Sequence, residues 1–184
     1  MPSVSAKPQF RLLFDPAEIS HLASHYRFAD DTIALDAGSR IRNGEYTRFN
    51  LLKIFEWKTG GRGRSRLQKN GDSEIADALA LATVAKTERA ALGVLMGLDG
   101  VHVPVASAIL TAIYPERFTI VDFRALEALN IKGANITIDF YLSYLDECKT
   151  LARANNVSLR SLDRALWQWS KEVSEKSRRA SRIT

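Results

Sequence analysis

Apolar residues along this chain recur at steps of three and four far more often than in alternation, a pattern that predicts α-helices. Residues 15–27 place Ile19, Leu22 and Tyr26 on one face behind Asp15-Pro16, a cap followed by a proline suited to the first helical position. A second helix is predicted over 31–42, ending near Asn43-Gly44. From Glu45 to Lys58, the residues Phe49, Leu52 and Phe55 share a face, and the helix runs out at Thr59-Gly60-Gly61. The stretch Gly60 to Arg66 joins a pliant backbone to cationic side chains and predicts an exposed loop. Gly71-Asp72-Ser73 then restarts a helix carrying Ile75, Leu79 and Ala82. Two further helices are predicted over 137–155 and 158–173, with Asn155-Asn156 between them and Ser158 or Ser161 as caps, and 174–184 reads as a frayed basic tail. No internal repeat or low-complexity block is present. The expectation is a single all-α domain over 1–184.

Composition narrows the class. The 184 residues are 46% apolar, 26% charged and 9% aromatic, enough to bury a core and unlike a disordered or fibrous chain. A single cysteine, Cys148, excludes an intramolecular disulfide and the thiolate set of a zinc or iron–sulfur site, which points to a reducing, cytoplasmic setting. On an apolar helix face, Cys148 is expected to be buried and inert. The opening residues lack a signal-peptide core, and no stretch has the roughly 18 apolar residues of a membrane span, so neither export nor membrane insertion is expected.

Lys and Arg number 26 against 21 Asp and Glu, a net charge of +5, and the positive charge is not spread evenly. Between Lys53 and Lys69 stand Lys58, Arg62, Arg64 and Arg66, opposed by Glu56 alone. A second basic region begins at Lys171 and includes Arg178, Arg179 and Arg182, diluted by Glu172 and Glu175. Such clusters suit a polyanionic partner.

The segment from Thr87 to Leu129 carries the most information. An amphipathic helix with Leu92, Leu95 and Leu98 stops at Asp99-Gly100. After the tight turn Gly100-Val101-His102-Val103, Pro104 stands at a helix start, and Val105, Ala108, Ile109 and Ala112 form a small-residue face that can pack closely on the first helix. A helical hairpin at about 87–113 directs the free N–H groups of its second helix outward together, a sequence-independent phosphate site. Tyr114-Pro115 ends that helix, Phe118 to Val121 runs extended, and Asp122 opens another helix.

Leu98-Asp99-Gly100-Val101-His102, with Ala106, Ile109-Leu110 and Val121-Asp122, resembles the helix-hairpin-helix and following aspartate of the DNA glycosylase superfamily that includes endonuclease III, adenine glycosylase and 8-oxoguanine glycosylase. That family has Leu-Pro-Gly-Val-Gly in the hairpin and an essential aspartate at a set distance beyond it, a separation that Gly100 and Asp122 keep. Here Asp99 stands in place of Pro, His102 in place of the second Gly, and Phe123-Arg124 in place of Thr-His. Pro104 falls where bifunctional members carry their Schiff-base lysine, so the resemblance implies a monofunctional enzyme without a lyase step. Neither an iron–sulfur cluster nor any other metal or cofactor is expected.

The resemblance implies DNA repair by base excision, with Asp122 as the catalytic group. Cleaving an N-glycosidic bond builds positive charge on the sugar, which a fixed carboxylate stabilises while it orients the attacking water. DNA is the implied partner, held by the Gly100, Val101, His102 and Val103 turn and by Lys58, Arg62, Arg64, Arg66 and Lys69, while one nucleotide is extruded. Trp57, Tyr114, Phe118 and Phe123 are candidates to stack on the extruded base, although the three tryptophans Trp57, Trp167 and Trp169 read first as core or helix-packing residues. Asp122 is also placed to cap the helix that follows it. Two other readings are a non-catalytic helix-hairpin-helix DNA-binding module and a scaffold that binds no nucleic acid.

Overall fold

Ten α-helices and no strand make up the described residues, 8–26 and 30–180, of this computed structural model. The helices are α1 (Ile19–Ser24), α2 (Thr32–Arg42), α3 (Arg48–Thr59), α4 (Arg64–Leu67), α5 (Asp72–Val84), α6 (Glu88–Leu95), α7 (Val103–Ile113), α8 (Phe123–Ala128), α9 (Ile138–Ala154) and α10 (Leu159–Ala180). Several start where a short polar side chain can accept from the open first turn. Thr47 accepts from Asn50, Thr87 from Ala90, Asp122 from Ala125, Thr137 from Phe140 and Ser158 from Ser161.

The centre of the fold is α7, on which every side chain from Ala106 to Ile113 is buried. Its small residues admit neighbours at close range, and α2, α3 and α6 pack on it. Gly38 of α2 lies so near that a Cβ there would fall 2.0 Å from the carbonyl oxygen of Ala112. A second group, α1, α8 and α9, packs on α10, and one continuous apolar core runs through both groups. No helix among the described residues is long and apolar enough to cross a membrane.

Several boundaries and one buried face differ from the sequence expectation; α6, expected to run to Asp99-Gly100, ends at Leu95. The helix expected over 15–27 is a single 3₁₀ turn, Pro16–Glu18, followed by the short α1, and Tyr26 lies beyond its end. On α3 the buried face is Asn50, Leu51, Ile54 and Phe55, whereas Phe49 is 64% exposed beneath the Lys53 ammonium. The face is rotated because α3 must meet both α2 and α7. The Arg-rich stretch is not wholly loop: Gly60 ends α3 in the left-handed conformation, and Arg64–Leu67 forms α4 with Leu67 in the core. Finally, α10 continues through 174–180 in place of a frayed tail, while Arg182 lies outside the described residues.

Candidate functional site

The segment from Phe118 to Asp122 is fixed by polar anchors inside the core. Tyr141 donates its hydroxyl to the Thr119 carbonyl at 2.9 Å, Tyr144 donates to the Ile120 carbonyl at 2.8 Å, and the Val121 N–H donates to Ser107 Oγ at 3.2 Å. Both tyrosines are fully buried on α9, and burial pushes their hydroxyls above the usual phenol range, so they remain protonated donors. The extended chain is thereby held at one height, and Asp122 emerges from it at the start of α8. Its Oδ1 accepts from the Ala125 N–H at 2.9 Å and its Oδ2 from the Lys58 ammonium at 3.4 Å.

Asp122 opens onto a cavity of about 550 Å³ between the end of α3, the start of α8 and one face of α10. Its walls are aromatic: Tyr26, Trp57, Phe123 and Trp167. Arg62, Arg124, Lys171 and Arg178 add positive charge, and Glu175 joins Asp122 and Asp163 as the acidic members of the wall. The Arg124 guanidinium stacks 5.0 Å from the Phe123 ring centre and 5.1 Å from that of Trp167. Volume, aromatic walls and a few converging polar groups match a small-molecule or single-base site, whose usual range is roughly 300–1,000 Å³.

A buried ion network adjoins the cavity. Asp31 Oδ2 accepts from Arg160 at 2.6 Å and from Arg164 at 2.8 Å, and Arg160 also pairs with Asp163, which lines the cavity at 5% exposure. Burial alone would raise Asp31, but hydrogen bonds from Arg164 and Arg160 outweigh it and hold the carboxyl below its usual value. For Asp163 burial prevails over the pull of Arg160, with the Asp122 charge adding to it, and the carboxyl is pushed up to about 6. Asp163 lines the same cavity as Asp122, whereas Asp31 is not among its wall residues.

The turn of the α6–α7 hairpin packs against the Arg-rich segment. Asn70 donates to the Asp99 carbonyl at 3.1 Å and accepts from the Asp99 N–H at 2.8 Å. Gly100, with φ of +83°, lies beside Arg66 and Leu67 so closely that a Cβ would stand 3.1 Å from both. At the start of α7, the His102 and Val103 N–H groups have no acceptor among the described residues, and the His102 side chain is exposed.

The structure sorts the residues singled out in the sequence. Asp122, Lys58, Arg62, Trp57 and Phe123 come together around the cavity. Phe118 does not, being fully buried in the core, and Tyr114 instead donates its hydroxyl to the Thr83 carbonyl at 3.1 Å. Val101 and Val103 are 1% and 2% exposed, so only their backbone remains for phosphate contact. Lys58 belongs inside the cavity with Asp122 rather than among the surface cations. Arg66 and Lys69 are exposed away from the cavity wall, and Arg64 is held by Glu56 at 2.5 Å. Trp167 is a wall residue as well as a packing one, while Trp169 stacks on Phe14 and Cys148 is buried with its thiol pushed up by burial. Arg160 and Asp163 escaped the sequence reading, and Tyr26 is read there only as part of a helical face. One signal existed: Asp163 stands among Leu159, Leu162 and Leu166 on the apolar face of an amphipathic helix, where a carboxylate needs a partner.

Comparison with protein-family models, with curated proteins and with solved structures finds no match to this chain.

Proposed function

We propose that this chain is a DNA-binding repair protein of the helix-hairpin-helix glycosylase type, a monofunctional N-glycosylase that removes a damaged or mispaired base. The observation that carries the reading is the position of Asp122: a carboxylate held by Lys58 at the edge of an aromatic cavity of single-base size, with cations beside it. A base turned out of the duplex would stack against Trp57, Phe123 or Trp167. Its sugar would then lie at the cavity mouth beside Asp122. Oδ2 would stabilise positive charge growing on the sugar and orient water toward it. Backbone phosphates would meet Arg62, Lys171 and Arg178, and, farther along, the N–H groups of the α6–α7 turn.

The test is incubation of the full chain with duplexes carrying uracil, 8-oxoguanine, an alkylated purine or mismatched adenine, followed by alkali to break the strand at any abasic site. Cleavage of at least one duplex by the wild type, and its loss in Asp122→Asn, is the expected result. No cleavage of any duplex, or equal cleavage by the variant, removes the reading.

One observation favours a second reading, a non-catalytic DNA-binding module. Asp122 Oδ1 already caps α8 and Oδ2 already meets Lys58, a complete structural role for the carboxylate. Under this reading Asp122→Asn leaves DNA affinity unchanged and no duplex is cleaved.

A further inference from the structure

The residues of α10 that line the cavity include a stripe along one face: Arg160, Asp163, Trp167, Lys171, Ser174 and Arg178, at steps of three and four. At the helical rise this stripe runs ~27 Å, far more than one base covers. Its two ends differ in burial and in charge. At the inner end Asp163 is buried, Tyr26 and Trp57 are half-buried, and the cations are already matched: Arg160 meets Asp31 and Asp163, and Lys58 meets Asp122. At the outer end Arg62 and Arg178 are exposed, and Lys171 is half-buried with its ammonium 5.4 Å from the Trp167 ring centre. None of these three forms an ion pair among the described residues, although Glu175 lines the same end. Between the ends, the Arg124 guanidinium lies against the Phe123 and Trp167 rings, and Phe123 is 71% exposed, an open platform for a neighbouring base. A closed, charge-matched, aromatic end suits a neutral base, and an open cationic end suits the phosphates of the strand that carries it.

We infer that this groove takes single-stranded DNA, a short run of unpaired nucleotides next to the base held at Asp122, with their phosphates along Arg62, Lys171 and Arg178. This rests on the cavity being a base site and goes beyond it, since one extruded base needs only the inner end. From Trp167 to Arg178 the stripe measures ~16 Å, room for about four nucleotides of one strand. A cavity of about 550 Å³ admits one strand and not a paired duplex. In a duplex, the pairs beside the target must therefore open before their phosphates reach these cations, and each opened step weakens binding by roughly tenfold. Cations that merely followed phosphate density would give the opposite order, because a duplex carries the higher charge density.

The experiment offers the full chain one labelled DNA sequence in three forms: single strand, fully paired duplex, and duplex with about four unpaired nucleotides beside the target base. Fluorescence anisotropy at several salt concentrations gives the affinities, and the same forms carrying uracil, 8-oxoguanine, an alkylated purine or adenine at the target are assayed for excision. The single strand and the opened duplex should bind at least about tenfold more tightly than the paired duplex, and excision should follow the same order. Lys171→Ala and Arg178→Ala should each weaken single-strand binding and flatten its dependence of log affinity on log salt by about 0.7 for each phosphate lost. Arg42, an exposed cation at the end of α2 and off the cavity wall, serves as the control, and Arg42→Ala should leave both unchanged. A paired duplex bound as tightly as the single strand overturns the inference. So does wild-type affinity and slope in both groove variants, an equal loss in Arg42→Ala, or tighter binding of an RNA strand than of DNA. Excision confined to the fully paired duplex, with weak single-strand binding, would sink the inference and leave the proposed activity standing. Tight single-strand binding without excision of any form would do the reverse.

Discussion

Lys58 and Asp122 stand 64 positions apart in the chain and 3.4 Å apart in space, and their meeting joins the end of α3 to the start of α8 across one cavity. The pair is mostly shielded from water, with side chains 14% and 24% exposed, so it is screened less than a surface ion pair. Asp122 divides its two oxygens between holding a helix and facing that amine, and the two roles separate by substitution.

Asparagine caps a helix about as well as aspartate but carries no charge. Asp122→Asn is therefore expected to change stability by less than about 1 kcal/mol. Excision should fall at least about a hundredfold, the scale of removing one preorganised electrostatic stabiliser. Asp122→Ala should lose the same activity and, in addition, about 1 kcal/mol of stability as the cap disappears. Denaturant melts and single-turnover cleavage, run on both variants, separate the two effects.

Tyr144→Phe removes the donor to the Ile120 carbonyl, two residues before Asp122. A buried carbonyl left without a partner costs about 1–3 kcal/mol. Because the same bond fixes the height of the segment, the single-turnover rate should drop more than DNA affinity does. A variant that loses affinity and rate in equal measure would show that the tyrosine acts only through overall stability.

Charge removal at Arg62 or Arg178, which line the cavity, is expected to flatten the dependence of log affinity on log salt by about one unit for each phosphate no longer neutralised. Arg64→Ala should have a smaller effect, since Glu56 already engages that side chain at 2.5 Å. Binding of a duplex at several salt concentrations, read by fluorescence anisotropy, gives both slopes.

Three glycines should respond differently to alanine. Gly38→Ala sets a Cβ 2.0 Å from the Ala112 carbonyl, and forcing α2 off α7 should cost about 3 kcal/mol or more. At Gly100 the left-handed φ of +83° and the 3.1 Å approach to Arg66 and Leu67 act together, for an expected loss of about 1–2 kcal/mol. Gly93 lies within α6 with open space around its Cβ position, so Gly93→Ala should stabilise by about 0.5–1 kcal/mol. Chemical denaturation of the three variants ranks them.

Stability should respond to acid through two aspartates of opposite sign. Asp31 titrates below its usual value in the fold, so its contribution is complete above that value and is lost as pH falls through the native titration. Asp163 titrates at about 6, above its ordinary 3.8, so the stability linked to its proton is present at low pH and disappears as pH rises from about 4 to about 6. Burial sets this value, the Asp122 charge adds to it, and Arg160 and Lys58 pull against it. Asp163→Asn should remove the decline between pH 4 and 6. Asp31→Asn, which leaves Arg160 and Arg164 underpaired, should cost about 3 kcal/mol at pH 7 and flatten the acid limb. Melts across pH 3–8 report both.

The helical class was written in the chain itself, because a spacing of three and four is a local property that any helix must express. So was the start of α8, marked by Asp122, whose side chain meets its own first turn. The start of α7 after the Gly100 turn and the position of Asp122 just before α8 were likewise legible, since Gly100, Pro104 and Asp122 act within a few residues of themselves. What lay beyond the sequence is everything set by contact across the fold. Phe49 and Phe55 share one helical stripe, yet only Phe55 is buried, because α2 and α7 choose the face of α3. Phe118 and Trp167 exchanged their expected places for the same reason: a spacing pattern says that an aromatic residue faces inward but not whether it meets a core or a cavity. The pairing of Lys58 with Asp122, and of Asp31 with Arg160 and Arg164 across 129 and 133 positions, depends on how α3 meets α8 and how the start of α2 meets α10. Charge in the sequence is a list of residues. Only packing turns it into a field, by deciding which charges lose water and which neighbours they then must face.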